Sequence, residues 1–242
     1  MKDEPLIDIS FNVLSDTPVG KDPDSYSPTL RRYHSILWSK KLPSGSYFSL
    51  DLSTPRVLRH RSSLGEFFLS SDQIGNTYRH AKRMQGVIRQ VPIDELESFA
   101  NLRATIAGHA IFPARRVENK MTINGARGVN HKIQDRFDLT LECIRRYYKG
   151  ETSPLSEVLH RYADFFELFE DFKGYVDFFL FQDLVDADCS EIQFWQPFDD
   201  FSENPLPSSL PEYLSYKGRV ISFLNARNDR IRRYASSHTN SK

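Results

Sequence analysis

The chain has 242 residues, 39% of them hydrophobic and 26% charged, so it is long and apolar enough to bury a globular core as one large domain or two small ones. Its formal net charge is zero, which excludes a global electrostatic pull onto nucleic acid or a membrane surface. Two cysteines, Cys143 and Cys189, exclude a disulfide scaffold and a four-thiolate zinc site, and predict a reducing, cytoplasmic setting.

The first segment, "MKDEPLIDIS", carries acidic residues and no apolar h-region, so no signal peptide is expected. Residues 1–7 read as a flexible end. Ser27 followed by Pro28 is an N-cap and first helical position, predicting a helix to about Trp38. "SYFSLDL" (Ser46–Leu52) alternates and reads as a strand, and "LGEFFLSSD" (Leu64–Asp72) as a second. The two are expected to pair antiparallel across "STPRVLRHRSS". Glu66 and Asp72 then lie near strand ends, where a carboxylate is either catalytic or plain surface.

Asp72–Arg83 reads as a helix weakened by Gly75, and "VPIDELESFANLRATI" as a better one. "AGHAIFPA" is extended and ended by Pro113. "VENKMTINGARGVNH" reads as a polar loop with two glycines. Beyond it the chain is mostly helical: Ile133–Lys149 stopped by Gly150, a restart at Ser153–Pro154, a nearly all-apolar "GYVDFFLFQDLV", and a last helix to about Tyr234. Residues 236–242 read as a second flexible end. No apolar run approaches the ~18 residues of a membrane span.

The neutral total hides segments of opposite sign. Leu30–Ser62 has seven basic residues and one acidic, Tyr213–Lys242 seven and one, and Glu151–Glu212 two basic and fifteen acidic. Either the segments neutralise one another in the fold, or the basic ones build an anion-attracting cleft. Arg219, Arg227, Arg230, Arg232 and Arg233 on the last helix pose the same choice between phosphate contact and pairing with the acidic region.

The densest cluster is Asn124 to Arg146. On a helical wheel starting at Ile133, the residues Ile133, Phe137, Leu141, Ile144 and Tyr148 fall within roughly an 80° core sector. Asp135, Asp138, Glu142 and Arg146 lie opposite, with Glu142 attracting Arg145 and Arg146. Leu139 points to that charged side, which predicts that protein covers it and that its charges are paired. One reading is a structural ion-pair network. The other is a ligand site under the loop "NGARGVNH", where Gly125 and Gly128 admit close backbone approach. In that site Asn124, Arg127 and Arg136 hold an anion, and His131 and Asp135 move a proton. Scattered histidines include no HExxH or close pair, and no Walker A or GxGxxG motif occurs, so no metal or cofactor is expected.

"DPDSYSPTLRRYHSILWSKKLPSG", "LGEFFLSSD" and "DRFDLTLECIRRYY…SPL…YADFFELF…GYVDFFLFQDLV" resemble DUF6994, a family of bacterial proteins of unknown function. The resemblance runs from about Asp8 to Tyr234 and implies a bacterial cytoplasmic protein of one domain. It transfers no activity and no catalytic residue.

The expected fold is α+β, a small antiparallel sheet from the N-terminal half packed on a mainly helical C-terminal half, in one domain over 1–242. Two functions are compatible with it. One is an enzyme or binding protein for an anionic small molecule, such as a nucleotide, or a nucleic-acid end. The other is a non-catalytic module that binds a protein partner through opposed acidic and basic faces.

Overall fold

The structure, a computed structural model, describes residues 6–239. The expected flexible ends fall largely outside this range; within it, Ile7 is buried and the last helix runs to Thr239.

Ser27 caps helix α2 (Pro28–Trp38) with its hydroxyl on the Leu30 amide, behind the short helix α1 (Pro23–Tyr26). Strands β1 (Lys40–Lys41) and β2 (Tyr47–Phe48) form a two-stranded antiparallel ribbon. Strands β3 (Leu58–Ser62), β4 (Gly65–Gln73) and β5 (His109–Pro113) form a three-stranded antiparallel sheet with β4 in the middle. The expected partner of β4 was the "SYFSLDL" stretch. Instead "LRHRS", inside the presumed connection, turns through Ser63 and Leu64 to make a hairpin with β4, and only Asp51 of the earlier stretch bridges to Arg59. Arg59 and Arg61 are tolerated in a strand because Asp51 and Glu66 pair with them.

The segment after β4 is a turn and a 3₁₀ turn (Lys82–Met84) leading to α3 (Gln85–Ile88), not the long helix expected. Helix α4 (Ile93–Arg103) and the fully buried β5 follow as read from the sequence. The supposed loop after β5 contains a helix, α5 (Ile123–Val129), because Thr122 caps it through the Gly125 amide. Helix α6 (Phe137–Tyr148) starts four residues later than expected, because Gln134 and Asp135 adopt left-handed backbone, with φ of 49° and 63°. Gly150, at φ 70°, ends it.

Helices α7 (Ser156–His160), α8 (Ala163–Glu167), α9 (Phe172–Phe179) and the long α10 (Leu210–Thr239) complete a mainly helical second half, so the class is α+β. Its core is built from rings: Phe165, Phe169, Tyr175, Phe178 and Phe179 pack edge-to-face and tilted at 4.9–5.4 Å. Helix α10 ties the sheet to this core. Its buried Arg227 donates to the carbonyls of Ala107, His109 and Phe179 at 2.7–3.0 Å, and its Tyr216 hydroxyl accepts from the Asn76 amide. Among the described residues no helix is long and apolar enough to cross a membrane.

Candidate functional site

The hairpin partner β3 covers β4 only as far as Leu69, so the outer edge of β4 from Ser70 to Gln73 has no strand beside it. An open edge leaves amides that need acceptors. Asp24 of α1 fills that place: its carboxylate accepts the Ser71 amide. Asp22 caps the same short helix through the Asp24 amide, so the "DPD" turn sets both acids against the strand. Beside this edge lies a cavity of about 340 Å³ lined by Asp22, Asp24, Ser71, Asp72, Gln73, Arg103, His109 and Asp135, among others.

Arg127 is wholly buried and pairs with two of the residues that line the cavity. Its Nη1 lies 2.6 Å from Asp72 and 2.8 Å from Asp135, its Nη2 donates to the Asp135 carbonyl at 3.2 Å, and its Nε to Thr140 at 3.2 Å. Burial alone would pull this guanidinium down, but Asp135 and Asp72 more than offset it and its pKa is raised. Asp135 also takes a hydrogen bond from Asn76 at 2.8 Å. These contacts hold residue 135 in its left-handed turn and fix where α6 begins.

Two of the carboxyls facing the cavity, Asp24 and Asp72, are shifted upward. Burial lifts Asp24 from 3.8 to about 7, opposed by the Ser71 amide and reinforced by Asp22 and Asp72. Burial also raises Asp72, against the pull of Arg127. The Asp72 charge is one of the causes that raise Asp24, so the two carboxyls disfavour each other's ionised form. Across from them, burial followed by Arg103 and Arg227 hold His109 down to about 3, so it is a neutral imidazole. Its Nδ1 meets the Ser71 hydroxyl at 3.3 Å, and its Nε2 has no partner. Arg103 donates Nη2 to Gln73 at 2.8 Å and keeps a buried, unpartnered Nε–H. Buried polar groups are ordinarily satisfied, so two orphans lining one cavity suit a ligand.

Of the residues singled out in the sequence, the fold brings Asp135 to the cavity and pairs Arg127 with it. Asn124 sits alongside on α5, with Nδ2 3.4 Å from Ser70 and Oδ1 unpartnered. His131 is exposed on the link between α5 and α6. Arg136 is buried in a closed pair with Asp138, whose Oδ2 also accepts the Trp195 amide. Glu142 is buried and holds Arg145 and Arg146, each at 2.7 Å. Leu139 is buried, as its place on the charged side required. Much of the crowd of charges is thus an ion-pair network, and Asp135 with Asp72 is the part of it that opens on this cavity.

Asp24, Arg103 and His109 were not among the candidates. The sequence held one signal for Asp24, a second acid inside a capping turn, and one for His109, a polar residue within an otherwise apolar strand. Nothing local marks Arg103. Among the described residues no three His, Cys, Asp or Glu side chains are grouped as a metal site.

The fold and site together define an α+β protein with an acidic cavity at a strand edge. Residues 7–231 match the model of a family of unknown function, DUF6994, and the chain belongs to that family. No curated protein and no solved structure matches it.

Proposed function

We propose that the protein binds a small hydroxyl- or amine-bearing molecule in the Asp24–Asp72–Asp135 cavity, with Asp24 and Asp72 exchanging a proton with it. The observation that carries this reading is a carboxyl poised near neutrality beside a second raised carboxyl, in a cavity with two unpartnered donors or acceptors. Asp24, near neutrality, is the group suited to give or take the proton, with the raised Asp72 on the same cavity wall. Arg103, on the cavity wall, offers its guanidinium to an acceptor on the ligand.

A nucleotide or other phosphate-bearing ligand at Arg127 has weaker support. All three nitrogens of Arg127 are engaged, and four carboxyls line the cavity against one guanidinium, Arg103. A cytoplasmic setting accords with this reading, since Cys143 and Cys189 are both unbridged and buried.

Thermal-shift titration with glucosamine, putrescine and AMP tests the proposal. Glucosamine or putrescine should raise the melting temperature of the native chain and not of Asp24→Asn. Failure of both probes at millimolar concentration overturns the proposal and leaves the protein-partner reading. A shift with AMP that Arg103→Ala abolishes returns the site to an anionic ligand.

A further inference from the structure

A second cavity, of about 450 Å³, is lined by Lys40, Leu42, Pro43, Glu170, Asp177 and Phe178, together with their neighbours. Lys40 opens β1 directly after α2 and Ser39, so the turn from helix to strand sends its side chain back over the rings. Its Nζ lies 5.0 Å from the ring centre of Trp38, 4.6 Å from Phe178 and 4.7 Å from Tyr234. Among the described residues no side chain forms an ion pair or hydrogen bond with this nitrogen. Lys120, Lys173 and Lys217 each have a carboxylate within 3.4 Å.

Burial, followed by the positive charge of Arg227, brings the Lys40 amine from 10.5 down to about 7, against the pull of Asp177. The ring faces favour the ammonium and act the other way. A lysine buried against three rings, with no acceptor at hydrogen-bond distance among the described residues, is a free amine for much of the time at neutral pH, and a free amine is a nucleophile.

We propose that Lys40 is a reactive amine that captures a small aldehyde or ketone in this cavity as an imine. The Nζ lone pair attacks the carbonyl carbon, the nitrogen gives up one proton and the carbonyl oxygen gains one, forming a carbinolamine. The nitrogen then releases its second proton, the C–O bond breaks, the oxygen leaves as water, and C=N forms. Nothing is oxidised or reduced. Glu170, on the cavity wall, supplies a carboxylate for the two proton transfers. Phe178, Leu42 and Pro43 on the cavity wall fit an apolar or aromatic body on the carbonyl compound.

The full chain is incubated with benzaldehyde and sodium cyanoborohydride across a range of pH, and modified lysines are quantified by peptide mass spectrometry. Lys40 should be labelled at least about tenfold faster than exposed Lys82 and Lys132 near neutral pH, where ordinary lysines are almost wholly protonated. Its rate should reach half its maximum near pH 7. Lys40→Arg should lose this fast label, and the wild-type profile stands as the test should that variant fold poorly. A Lys40 rate no faster than that of Lys82, or a midpoint in the ordinary lysine range, overturns the proposal.

Discussion

Replacing Asp24 by asparagine removes one titrating group while keeping an oxygen to accept the Ser71 amide. In the folded protein the Asp24 pKa is raised from 3.8 to about 7. The unfolded chain therefore loses this proton first. Stability from the protonated form is fully present below pH 3.8, and is lost as pH rises through about 7. A rise of about three units, at 1.36 kcal/mol each, gives about 4 kcal/mol as an upper bound, since water reaches part of the side chain. Asp24→Asn should therefore match the wild type at pH 4 and exceed it by up to about 4 kcal/mol at pH 8, a gain of up to roughly 8–16 °C in melting temperature. Urea denaturation of both proteins at the two pH values measures the difference, and the slope with denaturant should be unchanged. An equal difference at both pH values, or a variant less stable at pH 8, would refute the claim that a buried carboxyl costs this fold stability. The expected gain is also what a functional site implies, because groups arranged for ligands are strained without them.

Arg127→Met leaves Asp72 and Asp135 facing each other without their cation, and should cost about 3–5 kcal/mol at pH 8. The loss should shrink towards pH 5, where the orphaned carboxyls take up protons; a pH-independent loss in urea titrations would mean that packing, not charge, set it. Gly108→Ala would place a methyl 1.9 Å from the Arg103 carbonyl oxygen, so backbone must move beside the cavity and at least about 3 kcal/mol should be lost. Gly86→Ala is the control: nothing lies within 4 Å of its added methyl, and calorimetry should show a change within about 1 kcal/mol, on the stabilising side.

Helix α2 and the end of α6 were legible because a cap is a local device: Ser27 before Pro28 and Gly150 after Lys149 act within one turn of chain. Helix α5 was misread because its two glycines weigh against helix, while the Thr122 hydroxyl that starts it is one weak local signal among many. The pairing of β4 was misread because the arginines and histidine of "LRHRS" hide a strand, and Asp51, Glu66 and the stacked ring of Phe48 on His60 make it one. Within the charged cluster, the wheel separated core from charge and Leu139 marked the charged side as covered, but the wheel began four residues too early. The cause is Arg127, which draws Asp135 out of helical geometry through contacts to its carbonyl and carboxylate.

By itself the sequence determined the α+β class, the order of most elements and the pairing of Glu142 with Arg145 and Arg146, since these depend on periodicity, capping and neighbours three or four residues apart. Only the tertiary structure decided which charges stay open. Arg127 meets Asp72 across 55 residues and Asp24 meets Ser71 across 47, and desolvation at such meetings, not residue type, raises one aspartate well above the ordinary carboxylate range, while a candidate anion clamp is engaged by carboxylates of its own chain.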